Sequence, residues 1–284
     1  MPYVVFKGGL GNLLFQYSFF LHMRSKIPDL KIDLHSNLST GVPKKSRFHS
    51  IVDNFSEKTK ENNTHGIDQS IFSKFIRLLS ERFCAKNYFE KYNDDFFSNT
   101  KTLSLNFNNY IGYWQNFKYV ENNLEKICED FKKIKLTKVA QLFISKISKY
   151  DVAIHIRRGD YTLTKNKRIY HNLNIEYFYN ALRTVKINID FKKIFIFSDD
   201  PNLNLDKEFA DYELEYFKGS DDIEELIVMS KFYNLIISNS TFSLWAGYLS
   251  ISKKRTLVAP KNWYINSEKN KTTSNLFSKK WQRI

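Results

Sequence analysis

Short apolar runs alternate with longer segments of helical periodicity along this chain of 284 residues. Five runs, 3–6, 152–156, 194–197, 235–238 and 256–259, are almost continuously apolar, which is typical of strands covered on both faces. Apolar residues recur at helical spacing in 13–24, 69–83, 176–185 and 222–232. The alternation predicts an α/β fold with parallel strands.

The predicted elements are unevenly distributed along the chain. Four of the five strands follow residue 150, and the Lys-rich segment 121–150 before them has helical character. The polar segment 35–68 predicts long surface loops. We therefore expect two sheet-based domains of ordinary size, an N-terminal domain over 1–145 and a C-terminal domain over 146–284.

Composition excludes several classes of protein. With 42% hydrophobic residues, 9 Gly and 5 Pro, the chain is not collagen-like, linker-like or largely disordered. No apolar run approaches the about 20 residues that cross a bilayer, and the N-terminus is too short for a secretory signal, so we expect a cytoplasmic protein. Cys84 and Cys128 form no paired motif, so neither a disulfide framework nor a zinc site is expected.

The net charge of +14 is concentrated at one end. Residues 252–284 contain nine Lys or Arg against one Glu, whereas 199–225 contain eleven Asp or Glu against two Lys. The basic C-terminal segment suits an anionic membrane surface or a phosphorylated substrate, although a solvated face explains it equally. The basic residues match no nucleic-acid recognition module, so no nucleic acid is expected as a partner.

A glycine-rich turn separates the first predicted strand from the first predicted helix. The sequence there is Gly8-Gly9-Leu10-Gly11-Asn12. Glycines let the chain turn tightly and let a ligand approach the backbone, and the start of a helix offers unpaired amides. Gly9, Gly11 and Asn12 are therefore candidates for substrate binding, and a plain tight turn is the alternative.

Two adjacent arginines follow the predicted strand 152–156. The segment runs from His155 through Arg157 and Arg158 to Asp160. In α/β folds ligands bind at the carboxyl ends of parallel strands, and the planar guanidinium suits a pyrophosphate. Strand alternation predicts that His155 and Arg157 share a face. The alternative is that Asp160 holds one arginine in a structural ion pair.

Polar groups also follow two other predicted strands. Asp199 and Asp200 could accept hydrogen bonds from a guanine edge or a ribose diol, or could cap a helix over 202–210. After strand 235–238, hydroxyls and backbone amides at the start of a helix predict a phosphate seat, with an ordinary helix cap as the alternative. The candidates in that turn are Asn239, Ser240, Thr241 and Phe242.

Residue spacing gives no sign of metal chemistry. No two of the Asp residues lie two positions apart, and the six His residues show no ligand spacing. We therefore expect neither a metal nor a cofactor, so that positive side chains neutralise any leaving phosphate. Hydrolase motifs are also absent from the sequence.

Taken in order, these motifs resemble those of the α-1,2-fucosyltransferases of glycosyltransferase family 11, mainly the bacterial members. The matching segments are 8–12, 15–17, 112–115, 155–161, 195–200, 236–245 and 259–263. The most specific segment is 155–161, especially with 239–242 downstream of it. The likeness spans most of the chain but is patchy over 27–108.

The resemblance implies a GT-B-like architecture with two Rossmann-like domains. It also implies transfer of L-fucose from GDP-β-L-fucose to the 2-hydroxyl of an acceptor sugar, often galactose, with inversion and without a metal. By the same resemblance Arg157 grips the β-phosphate and Asn12 touches the transferred sugar. The other implied donor contacts are His155, Asp199 or Asp200, Ser240 and Thr241. Asp160 is a candidate general base by its position.

The chain departs from the family pattern at several positions. Leu13 stands where the family usually has Gln, and Leu244 stands where it has Trp. Another GDP-sugar or linkage therefore stays an alternative, as does a non-catalytic basic protein that binds glycan or membrane. The family and the charge place the enzyme at the cytoplasmic face of the inner membrane, acting on a galactose-containing or lipid-linked intermediate of a surface glycan such as O-antigen.

Overall fold

A computed structural model describes residues 2–34, 48–52, 88–89, 109–159, 164–250 and 255–284. The chain divides into two compact units, Met1–Asn123 and Leu124–Ile284. Each unit contains a parallel β-sheet accompanied by helices. The predicted α/β architecture with two parallel sheets is confirmed.

The described part of the first unit contains one four-stranded parallel sheet. Its strands are β1 (Tyr3–Val5), β2 (Lys31–Asp33), β3 (Tyr88–Phe89) and β4 (Asn109–Ile111), in the order β2-β1-β4-β3. The helices α1 (Leu10–Arg24) and α2 (Phe48–Val52) accompany it. Because β1 and β4 are parallel neighbours, their carboxyl ends meet at one edge of the sheet.

Helix α1 anchors this unit. Eleven of its fifteen residues are buried, because apolar side chains surround the helix on nearly every face. Its Tyr17 ring and the Phe6 ring both contact Phe48 of α2. This packing fixes the start of α1 directly after β1, so the glycine-rich turn is held at the carboxyl edge of the sheet.

In the described part of the second unit, six parallel strands form one sheet. They are β5 (Val152–Ile156), β6 (Lys193–Ser198), β7 (Glu213–Tyr216), β8 (Asn234–Ile236), β9 (Thr256–Ala259) and β10 (Trp281–Arg283). The order β10-β9-β8-β5-β6-β7 is that of the Rossmann fold, in which strand order reverses between the first and fourth strands. Here that switch point lies between β5 and β8.

The chain passes from the first unit to the second within helix α3 (Phe117–Lys132). The helices of the second unit are, in chain order, α4 (Lys138–Ser145), α5 (Thr164–Lys167), α6 (Ile175–Lys186), α7 (Asp222–Met229), α8 (Thr241–Leu249) and α9 (Ser267–Thr272), and the 3₁₀ turn Thr273–Leu276 follows. Across the described residues, no helix has both the length and the apolar character needed to span a bilayer.

The first unit ends earlier than the sequence suggested. We placed the domain boundary at residue 145, whereas the units divide inside α3, between Asn123 and Leu124. Helix α4 belongs to the second unit because its Phe143 ring lies 5.2 Å from that of Phe195 and 4.4 Å from that of Phe217. The segment 121–150 is rich in Lys, so its sequence gave no sign of these buried aromatic contacts.

Some elements were predicted closely and others were not. The strand at 152–156 and the helices at 176–185 and 222–232 correspond to β5, α6 and α7. Strands β2, β3, β4, β7 and β10 were missed, because these short segments contain no continuous apolar run longer than two residues. The predicted helix 69–83 lies outside the described residues, as does most of 35–68, in which α2 interrupts the expected loops.

Candidate active site

The three polar segments predicted in the second unit meet at one edge of its sheet. Strand β5 lies between β6 and β8, with Ile156 opposite Ser198 and Ile154 opposite Ile236. Residues 155–159, 197–200 and 238–242 therefore lie at the carboxyl ends of neighbouring strands or directly after them. This edge includes the switch point, where proteins with the Rossmann strand order bind their ligands.

Asp199 holds the arginine-bearing loop that follows β5. Its Oδ2 lies 3.0 Å from Nη1 of Arg157. Its Oδ1 accepts hydrogen bonds from the backbone N–H groups of Arg158 at 2.8 Å and Gly159 at 3.1 Å. One carboxylate thus fixes both the loop backbone and the first guanidinium, while the Arg158 side chain is exposed.

The sequence had offered Asp160 as the carboxylate that pairs with an arginine. The structure shows that Asp199, which we expected to contact a nucleoside, forms an ion pair with Arg157. Asp160 lies outside the described residues, so its pairing with an arginine and its role as general base both stay predictions.

Gly159 allows the close approach of Asp199. A Cβ atom at this position would lie 2.3 Å from Asp199 Oδ2 and 2.9 Å from its Cγ. Both distances are far shorter than any van der Waals contact, so a side chain at 159 would displace the carboxylate. Glycine at 159 therefore allows the Asp199 carboxylate to approach the backbone, and it is not required for an unusual backbone conformation.

His155 is buried at the switch point as a neutral imidazole. Its Nδ1 lies 2.9 Å from Oγ of Ser238, which follows β8, and its ring packs against Phe242. Burial lowers the pKa of His155 to about 3, and the positive charge of Arg157 acts in the same direction. Because Nδ1 is engaged by Ser238, Nε2 is the nitrogen that could meet a ligand.

The turn after β8 presents hydroxyls and amides at the start of α8. Ser240 is the N-cap residue, and its backbone N–H donates to the carbonyl of Ser238 at 2.8 Å. Among the described residues, the Ser240 hydroxyl makes no capping hydrogen bond, so the ordinary cap considered from the sequence is not formed. Thr241 begins the helix beside it. Such an arrangement suits an oxyanion.

Asn239 and Asp200 have roles within the fold. The Asn239 amide donates to the backbone carbonyls of His171 and Trp263, both at 2.9 Å, and the residue is buried. Oδ1 of Asp200 accepts from the backbone N–H of Asn202 at 3.0 Å. The predicted helix over 202–210 is not formed, and Asp200 stabilises a turn there instead.

A cavity of about 230 Å³ opens at the same edge, beyond β9 and β10. It is lined by His171, Asn174, Tyr177, Pro260, Asn262 and Ile284, among others. The Tyr177 hydroxyl donates to the backbone carbonyl of Ile237 at 2.6 Å, so the wall of the cavity is tied to the turn after β8. Imidazole and amide groups in the lining could form hydrogen bonds with a small polar ligand.

A second cluster lies in the first unit, where β1 and β4 end. Gly8 has a positive φ of 89°, which glycine adopts without strain, and Gly9 is the N-cap residue of α1. Gly11 and Asn12 lie in the first turn of α1. The Asn12 Oδ1 accepts a hydrogen bond from Nε2 of Gln115 at 2.8 Å. The residues predicted to bind substrate therefore lie together where α1 begins, beside the carboxyl ends of β1 and β4.

Sequence reasoning missed two residues that hold this cluster in place. Gln16 is fully buried, and its amide bonds both the N–H and the carbonyl of Lys7, each at 2.8 Å. Gln115 orients Asn12 from 103 positions away in the chain. Both lie in segments that carry the family resemblance, which was the one signal available for them.

Metal-ligating side chains do not cluster within the parts of the chain that the structure describes. No group of three or more His, Cys, Asp or Glu residues there could hold a metal ion. Cys128 is a free, partly exposed thiol, and burial raises its pKa.

Comparison with known proteins gives two curated relatives, both from Escherichia coli. An alpha-1,2-colitosyltransferase is 28% identical over 300 residues, which cover 98% of this chain and 96% of the relative. The O-antigen biosynthesis glycosyltransferase WbnK is 31% identical over 126 residues, which cover 43% of this chain and 41% of the relative.

Among solved structures, the fucosyltransferase NodZ from Bradyrhizobium is similar in fold, with a TM-score of 0.43 at 12% identity over 87% of this chain and 91% of NodZ. A model of the family described as glycosyl transferase family 11 matches residues 1–284. Because this match spans the whole sequence, the chain belongs to glycosyltransferase family 11.

Proposed function

We propose that this glycosyltransferase moves L-fucose from GDP-β-L-fucose to the 2-hydroxyl of an acceptor sugar, with galactose as the expected acceptor residue. The observation that carries the proposal is the placement of Arg157 at the switch point of the second sheet, held there by Asp199. A fixed guanidinium at this edge is suited to a nucleotide diphosphate.

The diphosphate contacts follow from the donors that converge there. A guanidinium has five N–H groups in a planar fork, so Arg157 can bond a carboxylate and a phosphate at the same time. Ser240 and Thr241 would seat phosphate oxygens with the first amides of α8. The exposed Arg158 would add positive charge. These groups would neutralise the leaving GDP without a metal ion.

The nucleoside contacts would come from the same edge. His155 stays neutral and can offer Nε2 to the base or ribose, with Phe242 packed beside its ring. Asp199 is already engaged by Arg157 and by two amides, which favours Asp200 as the carboxylate for the nucleoside. Asn239 would act by holding the turn, since its amide donates to the carbonyls of His171 and Trp263.

The reaction would be a single displacement through an oxocarbenium-like state. The acceptor 2-oxygen forms a bond to the anomeric carbon while the bond from that carbon to the phosphate oxygen breaks on the opposite face. The hydroxyl proton passes to a base, for which Asp160 is our candidate, and the electron pair leaves with GDP. Attack from the opposite face converts a β-linked donor into an α-linked product.

In the first unit we propose that Gly9, Gly11 and Asn12 bind substrate. The hydrogen bond from Gln115 fixes the Asn12 amide, so its N–H groups point in a defined direction. An amide held in this way can bond the hydroxyl or ring oxygen of a sugar. The absence of a side chain at Gly9 keeps the backbone open, since nothing lies within 4 Å of its Cβ position.

One relative supports a second sugar nucleotide as the donor substrate. The relative that matches 98% of this chain is a colitosyltransferase, and colitose is L-fucose without its 3-hydroxyl. Leu13 and Leu244, at which this chain departs from the family pattern, leave room for such a change. GDP-colitose is therefore the alternative donor, and a binding protein without catalysis is the alternative of a different class.

The basic C-terminal segment and the similarity to an O-antigen biosynthesis glycosyltransferase support a proposal for where in the cell the enzyme acts. We propose a cytoplasmic enzyme that meets a lipid-linked acceptor at the inner membrane, with residues 252–284 as the predicted contact. Two of the cations there also serve the fold, because Arg255 donates to the carbonyls of Ser230 and Phe232, and Arg283 donates to that of Lys261.

One assay tests the proposal. The enzyme is incubated with GDP-fucose or GDP-colitose and a panel of β-galactosides, and the product linkage is determined by NMR. We expect an α-1,2-linked fucoside at a rate that EDTA leaves unchanged. Transfer of another sugar, or hydrolysis with no transfer, would contradict the proposal.

Arg157→Ala should lower kcat by about 10² to 10³, the usual cost of losing one charge-stabilising contact. Arg183→Ala serves as the matched control, because this exposed arginine lies on α6 and its guanidinium contacts Asn180. We expect the control to keep the wild-type rate, whereas equal rates for both variants would rule out the role of Arg157.

A further inference from the structure

The surface around α4 is strongly basic. Residues 132–150 contain six Lys and neither Asp nor Glu. Lys132 and Lys133 form ion pairs with Glu129 and Asp130 of α3. The other lysines, which include Lys138, Lys146 and Lys149, are exposed. A cationic surface therefore lies on the part of the second unit that precedes its sheet in the chain.

Helix α4 combines this charge with exposed apolar side chains. Ala140 and Phe143 face inward and are buried. Val139 is 69% exposed and Leu142 is 65% exposed, on the opposite side of the helix. Since residues three and four positions apart lie on the same helical face, Lys138 and Lys146 flank these two side chains. We call the set Lys138, Val139, Leu142 and Lys146 the outer face of α4.

Two acidic residues of the neighbouring helix α7 are turned away from the outer face. Glu224 is buried, and its carboxylate accepts from the backbone N–H groups of Thr137 at 2.7 Å and Ser220 at 2.8 Å. Glu225 is also buried and pairs with Lys218 at 2.9 Å. These two carboxylates therefore do not neutralise the positive charge on the outer face.

From this arrangement we propose that the outer face of α4 docks on an anionic phospholipid surface. Aliphatic side chains flanked by lysines on a surface helix are the combination that inserts at the boundary of headgroups and acyl chains. Lysines near an anionic leaflet gain from its negative potential. Two exposed aliphatic side chains cover far less area than a stable protein interface requires, which favours lipid over a second protein.

This contact differs from the one predicted at 252–284, and it does not depend on which sugar is transferred. A membrane-docked α4 would bring the enzyme to a lipid-linked acceptor. Binding to vesicles can be measured without any sugar nucleotide, so a failure of this proposal is distinguishable from a failure of the proposed activity.

The experiment is co-sedimentation of the full chain with vesicles of pure phosphatidylcholine and with vesicles in which about a quarter of the lipid is phosphatidylglycerol. We expect binding to the anionic vesicles alone, and weaker binding as salt rises. The variant K138Q/K146Q should lose roughly 20-fold in affinity, at about fivefold for each lysine. The variant V139Q/L142Q should lose about tenfold.

Two control variants separate this face from other surfaces. I187Q replaces an apolar side chain that is 83% exposed on another surface, and K279Q/K280Q removes two exposed lysines from the C-terminal segment. I187Q should bind as the wild type does, and K279Q/K280Q, which lies in the other predicted contact, should lose less affinity than K138Q/K146Q. Equal binding to neutral vesicles, no binding to anionic ones, or a loss confined to K279Q/K280Q would overturn the proposal.

Self-association is a further outcome. A dimer seen by analytical ultracentrifugation and abolished by V139Q/L142Q would also overturn the proposal, in favour of a second copy of the chain. Circular dichroism and a thermal melt of each variant confirm that the fold is retained, since none of the four outer-face side chains belongs to the buried core.

Discussion

Asp199 connects two segments of the second unit, and each of its two carboxylate oxygens has its own partners. One oxygen of its carboxylate meets Arg157, and the other accepts the N–H groups of Arg158 and Gly159. An ion pair as exposed as this contributes little to stability by itself. Its consequence is positional, because the carboxylate fixes where the guanidinium can lie.

Gly159→Ala should disturb that arrangement. The added Cβ would lie 2.3 Å from the Asp199 carboxylate, which must then move away from Arg157. Because the clash is with the end of a partly exposed side chain that can move, we expect the free energy of unfolding to fall by only about 1 kcal/mol or less, measured by chemical denaturation. The KM for the donor should rise, because Arg157 loses the contact that positions it.

Gly9→Ala is the matched control for stability, since nothing lies within 4 Å of a Cβ there. Its free energy of unfolding should fall by about 1 kcal/mol at most, the usual cost of alanine at a helix N-cap. If Gly159→Ala were as stable as Gly9→Ala and kept the wild-type KM, the contact with Asp199 would have no positional role.

His155 should make the protein sensitive to acid. Burial lowers its pKa from 6.5 to about 3 in the folded chain, so between these values the unfolded chain binds a proton that the folded chain does not. The free energy of unfolding should therefore fall as pH falls below 6.5, by up to about 1.4 kcal/mol per pH unit from this residue. Above pH 6.5 the residue adds no pH dependence.

Urea denaturation at several pH values between about 7 and 5 measures this slope. His155→Asn should show a shallower slope than the wild type, because the titrating group is gone. Gln282→Leu, which replaces an exposed side chain that does not titrate, should keep the wild-type slope. Parallel curves for the wild type and His155→Asn would contradict the assignment.

At the scale of elements, helix α1 and the turn before it depend on one buried amide. The Gln16 side chain bonds both backbone groups of Lys7, which fixes the chain as it leaves β1. Gln16→Leu fills a similar volume but removes both hydrogen bonds to the backbone of the half-buried Lys7. Each such bond contributes about 0.5–1.5 kcal/mol, so we expect a loss of roughly 1–3 kcal/mol in the free energy of unfolding.

Gln282→Leu is the control for Gln16→Leu, because Gln282 is exposed on β10. Its stability should stay within about 0.5 kcal/mol of the wild type. The measurement is a denaturant titration of both variants, and equal stability would mean that water replaces the lost hydrogen bonds.

How far the elements follow from sequence depends on their burial. Strand β5 is buried at all five positions, and its unbroken apolar run was predicted to the residue. Strand β7, Glu-Leu-Glu-Tyr at the sheet edge, has no such run and was missed. Edge strands of this kind are specified by pairing with a neighbour, which a local pattern does not contain.

The candidate site could be predicted from the sequence only in part, because some of its contacts also depend on strand pairing. Parallel strands bring their carboxyl ends together, so the segments after β5, β6 and β8 could be expected at one edge. The ion pair between Asp199 and Arg157 could not, since it depends on the register of β5 against β6. Gln115 and Asn12 are likewise joined by the pairing of β1 with β4.

At the scale of the whole molecule, each of the two units carries a cluster at the carboxyl edge of its own sheet. The proposed diphosphate contacts all belong to the second unit, around residues 155–159 and 238–243. The cluster around Asn12 belongs to the first. The account therefore assigns nucleotide binding to one unit.

Hydrogen exchange should show this assignment. With saturating GDP, the amides of 155–159 and 238–243 should exchange more slowly, because the phosphates occupy them and binding stabilises the folded unit. Amides in 8–16 should change little with GDP alone. UDP, which presents the same diphosphate on a smaller base, should give weaker protection of the same segments. Protection confined to 8–16 would contradict the assignment.

Calorimetric titration of GDP tests the central claim most directly, namely that Arg157 binds the nucleotide diphosphate at the switch point of the second sheet. The account predicts that the wild type and Arg183→Ala bind GDP with the same Kd. Arg157→Ala should bind it about 10- to 100-fold more weakly, as expected for the loss of hydrogen bonds to a charged group. An unchanged Kd in Arg157→Ala would contradict the account.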